Sequence, residues 1–137
     1  MTVGARRTKI LAAIVGTLVL AIAIGYVVLR RSGRLPSPGS QIYEETVSSF
    51  YRALASLQVG LLDDARTGFG RATELVPAEP AAWANLALTQ IRLGDFDAAF
   101  QSVQRAQALA SSNSDIEFLF GQLETSRGRP DEAIAHF

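Results

Sequence analysis

Hydrophobic positions change their spacing twice along this chain. From Ile10 to Leu29 they run without a charged residue, and twelve of those twenty positions are Ile, Leu or Val. Twenty residues at about 1.5 Å each match a hydrocarbon core of about 30 Å, so this run predicts a transmembrane helix. A buried core helix would carry a polar face, and here only Thr17 and Tyr26 interrupt the apolar run. Ser32 to Ser40 (SGRLPSPGS) then breaks any helix with Gly, Pro and Ser and reads as a linker. Beyond it, apolar residues recur at helical spacing with no strand-like alternation. The expected helices cover roughly 42–59, 62–76, 80–93, 96–110, 114–127 and 130 to the end, with boundaries good to about 2–4 residues.

The predicted organisation is therefore all-α: a basic tail over 1–9, a transmembrane helix over 10–29, a linker over 30–40 and a helical domain over 41–137. Charge follows the same division. Arg6, Arg7, Lys9, Arg30, Arg31 and Arg34 flank the apolar run with no acid among them. The body from Gln41 holds all thirteen acids against seven arginines, a net of −6, which argues against a nucleic-acid surface. A cleaved signal peptide is the competing reading of the head, with Ala21-Ile22-Ala23 resembling a cleavage site. Val27, Val28 and Leu29 carry the apolar run past that site to Arg30-Arg31, the pattern of an anchor. Three basic side chains stand at each end of the span, so the N-terminal amine decides the orientation. The expectation is a single-pass protein of the inner (cytoplasmic) membrane, with its N-terminus inside and its body outside the cytoplasm.

The body repeats itself at one shift. Thirty-four residues carry Gly60 to Gly94 to Gly128, and Ala65 to Ala99 to Ala133. At the same shift Ala53, Ala87 and Gly121 are small, while Phe69, Val103 and Phe137 are large. The best unit reads Trp83-x-x-Leu86-Ala87-x-x-Gln90, then Leu93-Gly94-x-Phe96-x-x-Ala99-x-x-x-Val103. This pattern resembles the tetratricopeptide repeat, over about two thirds of the chain, and the Arg-rich, Lys-poor usage hints at a bacterial source. The resemblance implies an α-solenoid of antiparallel helix pairs, about 2.7 repeats long, with units at 46–79, 80–113 and a truncated 114–137. Ser49 stands where the first unit should carry an aromatic residue, and Ser111 where the middle unit should close with proline.

The residues agree with that fold on physical grounds. Gly60, Gly94 and Gly128 fall where first helices end, a position that often needs a positive φ. Asp63-Asp64, Asp95 with Asp97, and Asp131-Glu132 open the second helices, beside unsatisfied N–H groups and the positive dipole end. Paired carboxylates recurring at that one position read as helix-start residues rather than acid–base catalysts. Pro80 suits a first helical position, and Ser114-x-x-Glu117 predicts a capping box.

No catalytic constellation emerges, and no cofactor or small-molecule substrate is expected. The chain has no cysteine, so thiolate metal sites and cysteine nucleophiles are excluded. His136 is the only histidine and is read as a solvated helix residue. Trp83 is read as a packing residue on its position in the repeat. What remains is a groove. In the family resembled, first helices line the concave face, which here implies Phe50, Leu54, Asn85, Leu88, Arg92, Phe118 and Gln122 as partner-binding residues. Val47, Leu57, Ala81, Ala84, Asp115 and Leu119 share that face. Such a mixture suits an extended or helical peptide of a protein partner. A carboxylate clamp is not expected, because only Asn85 matches it while Phe50, Leu54, Asp115 and Leu119 do not.

The leading expectation for function is a membrane-anchored scaffold that binds a partner protein in the groove. Two alternatives remain: the recognition module of a larger membrane-bound enzyme or envelope protein, and an assembly or quality-control factor for secreted proteins. The third unit stops twenty-four residues into its period. That stop leads to an expectation of a longer repeat protein, or of a partner that covers Ala133, Ile134 and Phe137.

Overall fold

The computed structural model describes residues 35–136. The tail over 1–9, the expected membrane helix over 10–29 and Phe137 lie outside the described residues. Among the described residues no helix is long and apolar enough to cross a membrane. Among the described residues six helices follow one another: α1 Gln41–Gln58, α2 Leu62–Leu75, α3 Pro80–Leu93, α4 Phe96–Leu109, α5 Ser114–Ser126 and α6 Pro130–Ile134. They form three antiparallel pairs, α1/α2, α3/α4 and α5/α6, each packed on the next.

Glycine makes the turn within each pair. Gly60, Gly94 and Gly128 have φ of 81°, 79° and 75°, the left-handed region where a residue without Cβ is unstrained. Helix starts are also specified locally. Pro80 occupies the first turn of α3, and the Glu79 carboxylate accepts from the Ala81 N–H at 3.1 Å. Asp95 caps α4 by accepting from Ala98 N–H, whereas Asp63, Asp64, Asp131 and Glu132 sit in the first turns of α2 and α6 and act through the dipole.

The α5 start differs from the expected capping box. Asn113, not Ser114, is the capping residue, its Oδ1 accepting from Asp115 N–H at 2.9 Å. Glu117 does not reach back to the helix start. Its carboxylate accepts from Gln107 Nε2 at 2.8 Å and meets His136 Nδ1 at 3.1 Å. An amide on α4 and a ring beyond α6 thus take the carboxylate that the box would have used.

Small residues set how closely a pair can pack. Gly68 of α2 faces Ala53 of α1 so tightly that an added Cβ would lie 2.7 Å from the Ala53 Cβ and 3.1 Å from Ser49 O. Between pairs the large residues fill the gaps. Phe69 and Val103 are fully buried, which for a side chain of this size stabilises by about 1.5–3 kcal/mol each. Trp83 packs against both apolar clusters, the one around Phe69 and the one around Val103, and donates Nε1–H to Pro77 O at 3.0 Å. The missing aromatic at Ser49 is compensated one residue later, where Phe50 meets the Phe69 ring edge-on at 5.4 Å.

The end of the array departs from expectation in three ways. Helix α6 spans only five residues and the chain then turns at Ala135 and His136. Ala133 is buried rather than left exposed, while Ile134 is 71% exposed. His136 is not a solvated helix residue. It is half-buried, and its ring lies on Phe120 with centroids 4.9 Å apart and planes at 14°. The turn after α6 folds it back onto α5, where a flat apolar face and a carboxylate are both available.

Candidate functional site

The curvature of the array decides which face is concave. Helix α1 approaches α3 and α3 approaches α5, while α2 and α4 do not meet. First helices therefore lie on the inner, shorter arc, and their outward stripe forms the concave surface.

Two hollows open on that surface and share Ala81. The first, about 490 Å³, lies between α1 and the start of α3 and is almost wholly apolar. Tyr43, Val47, Phe50 and Tyr51 form its floor, with Val76 and Ala81 opposite. Leu35, Pro36 and Pro38 make its rim, so the end of the expected linker packs with the body. The second hollow, also about 490 Å³, runs between α3 and α5 and mixes apolar with polar groups. Ala81, Ala84, Leu88, Ile116, Phe118 and Leu119 supply the apolar part. Asn85, Arg92, Asn113, Asp115 and Gln122 supply the polar part.

Helical spacing explains why those residues share a face. Ala81, Asn85, Leu88 and Arg92 follow one another at intervals of four, three and four, and so form one stripe of α3. Asp115, Phe118, Leu119 and Gln122, at i, i+3, i+4 and i+7, form the matching stripe of α5. Local bonds hold two of the polar groups in place. Asn85 Nδ2 donates to Ala81 O at 2.9 Å, and Arg92 Nη1 reaches Leu57 O at 3.4 Å across the inter-pair gap.

Of the seven residues expected to bind a partner, Asn85, Leu88, Arg92, Phe118 and Gln122 line the second hollow together, and Phe50 lines the first. Leu54 lines neither. It packs against the cluster around Ala53, Leu57, Phe69 and Leu86, because α1 presents that stripe to α3. The sequence reading missed Tyr43, Tyr51, Leu35, Pro36 and Pro38. Tyr43, Val47, Phe50 and Tyr51 sit at i, i+4, i+7 and i+8, a wide stripe that signals more apolar surface than one neighbouring helix can cover.

Charge at the far end of the array is held by a separate network. Glu124 is 5% exposed, and its carboxylate pairs with Arg127 at 3.4 Å and Arg129 at 3.7 Å. Arg127 also pairs with Asp97 of α4 at 3.2 Å and lies 5.1 Å above the Phe100 ring. The His136 and Gln107 bonds hold the Glu117 carboxyl below its ordinary pKa, the histidine being the larger cause. These groups tie the third pair to the second rather than face the groove.

No family model matches the sequence, and no curated protein does. Solved structures do match. The crystal structure of MamA superposes with a TM-score of 0.62 at 23% identity, over 66% of this chain and 53% of that one. This chain thus spans about half the length of the MamA chain it matches. The Arabidopsis OM64 TPR domain superposes with a TM-score of 0.65 at 22% identity, over 68% of this chain and 77% of that one. With the thirty-four-residue period, the glycine turns and the concave first helices, these likenesses show that the body has the tetratricopeptide-repeat fold.

Proposed function

We propose that this protein is a membrane-anchored scaffold that takes a segment of a partner protein into the concave groove of its repeat domain. The observation that carries this reading is the groove itself: two hollows joined at Ala81, apolar enough to reward burial and polar enough to fix orientation. Five of the side chains expected from the sequence meet in one of them. The body's net charge of −6 favours protein over nucleic acid as the occupant. No catalytic step enters this reading.

The anchor rests on the twenty-residue uncharged run from Ile10 to Leu29 and its basic flanks. A tether of this kind confines the body to one membrane surface. Against a partner in the same membrane it raises the effective concentration, so a weak groove suffices for stable association. The orientation we favour leaves the short, strongly basic N-terminal tail in the cytoplasm and places the body outside the inner membrane.

The test is photo-crosslinking in intact cells from single positions of the full chain. A crosslinker at Gln122, in the groove, is expected to give discrete protein adducts in the membrane fraction that disappear when Leu88 is changed to Arg. A crosslinker at Arg105, exposed on α4, is expected to give none of those adducts. The same adducts from both positions would contradict a groove-borne interaction. Recovery of the chain in the soluble fraction after carbonate washing would contradict the anchor.

A further inference from the structure

We infer that the end of α6 is a two-position latch: the His136 ring, bonded here to Glu117, moves to the buried Glu124 carboxylate when the turn after α6 winds on into an α-helix.

The repeat supplies the second position. At the shift of thirty-four residues Glu124 is the counterpart of Gln90, and His136 of Ser102. In the second pair Ser102 Oγ donates to Gln90 Oε1 at 2.7 Å, and both side chains are buried, so the bond ties second helix to first inside the packing. The third pair keeps an acceptor and a donor at the same two positions, as carboxylate and imidazole, which makes the tie a charge-assisted one. It is not formed in this structure. Glu124 is buried, its Oε2 has no hydrogen-bond partner among the described residues, and Arg129 stands 3.7 Å away. A buried acceptor left unpaired costs free energy that an arriving donor recovers.

The backbone makes the step between the two positions small. Ala135 N–H bonds to Glu132 O at 3.2 Å and His136 N–H to Ala133 O at 3.0 Å, each three residues back rather than four. Ala135 already has φ of −68° and ψ of −15°, within the right-handed region. A 3₁₀ turn advances about 120° per residue against about 100° in an α-helix, so two such residues carry His136 roughly 40° past its α-helical direction. Over-rotated, the ring lies on Phe120 with centroids 4.9 Å apart, and Nδ1 meets Glu117 at 3.1 Å. Rewinding those two residues removes the over-rotation without crossing a forbidden region. Among the described residues only α5 packs on α6, so no other helix blocks the ring.

The two positions differ in what they join. Through Glu117, which also accepts from Gln107, the present one links the end of α6 to α5 and α4 together. The other ties α6 to α5 alone, as Ser102 and Gln90 tie α4 to α3.

The test follows the His136 ring by NMR in the full chain, held in detergent micelles and labelled at histidine. His136 is the only histidine, so its ring signals are unambiguous. Glu117→Ala removes the acceptor of the present position at a side chain that is not buried, which leaves the apolar packing in place. The expected result is loss of the ring's nuclear Overhauser contacts to Phe120, new contacts to the Glu124 γ-protons, and at least ~5-fold slower hydrogen exchange of the His136 amide as α6 lengthens. Adding Glu124→Leu to that variant is expected to abolish both the new contacts and the slower exchange. A ring that stays on Phe120 in Glu117→Ala, or takes the shifts of a free histidine, would overturn the latch. Slower exchange that persists with Glu124→Leu would overturn Glu124 as its second position.

Discussion

Gly68 and Ala53 pack directly against each other in the first helix pair: a Cβ on Gly68 would lie 2.7 Å from the Ala53 Cβ. Alanine is the better helix former by about 1 kcal/mol, so propensity alone favours Gly68→Ala. Overpacking costs about 1–3 kcal/mol, and here neither the Ala53 Cβ nor the Ser49 carbonyl can swing away. Gly68→Ala is expected to lower stability by about 1 kcal/mol and the Tm of the body by about 4 °C or more. Unchanged or raised stability in urea denaturation would show that the pair is not packed as described.

Two other glycines separate space from backbone conformation. A Cβ at Gly70 or at Gly94 meets nothing within 4 Å, but Gly70 lies inside α2 while Gly94 has φ of 79°. Gly70→Ala is expected to stabilise by about 0.5–1 kcal/mol, and Gly94→Ala to destabilise by about 1–2 kcal/mol. The same denaturation series measures both, and equal effects would contradict the left-handed turn.

Much of this fold is legible in the amino-acid pattern, because the period of thirty-four residues places glycine, small and large residues at positions whose roles are physical. All six helices begin and end within two residues of where periodicity and caps predict, except the last, which stops at Ile134. The α3 and α5 stripes of the groove were readable for the same reason. Other features depend on contacts that spacing cannot show. Leu54 and Phe50 look alike as apolar residues of α1 and both pack against the cluster around Phe69, yet only Phe50 also lines a hollow. Leu35 and Pro36 read as linker until the hollow beside Tyr43 is seen. The Glu117 bonds require α4, α5 and the turn after α6 to meet, and no local pattern encodes that.

Arg127 is expected to matter more than most charged residues. Glu124 is buried, and one of its oxygens has no hydrogen bond among the described residues, so its charge depends on the neighbouring arginines. Removing Arg127 leaves that carboxylate poorly compensated and also deletes the pairing to Asp97 and the contact over Phe100. Arg127→Ala is expected to cost about 2–3 kcal/mol. Arg127→Lys should fall between, since an ammonium cannot reproduce the fork. A cost within ~0.5 kcal/mol of zero, as for ordinary surface substitutions, would contradict this role.

Acid is expected to loosen the third pair through Glu117. Its pKa is lowered in the folded protein, first by His136 and then by Gln107. The resulting stabilisation is present above the ordinary carboxylate value of about 4.3 and is lost as pH falls through the lower folded value. Comparing wild type with Glu117→Gln by urea denaturation should therefore show a stability difference at pH 7 that shrinks below about pH 4. A difference constant over that range would contradict the contribution of the ionised carboxylate.

The concave groove, and not another face of the array, is the surface we propose for the partner. The double variant Asn85→Ala with Leu88→Arg, made in the full chain and measured side by side for helicity and for crosslinking yield from Gln122, decides this. Leu88 is half-buried and lies against both apolar clusters, and the Asn85 side chain bonds to Ala81 within α3, so the helicity measurement separates a loss of repeat packing from a loss of binding. The expected result is far-UV circular dichroism within about 10% of wild type together with loss of the adducts. Retained adducts in a variant of unchanged helicity would place the binding surface elsewhere.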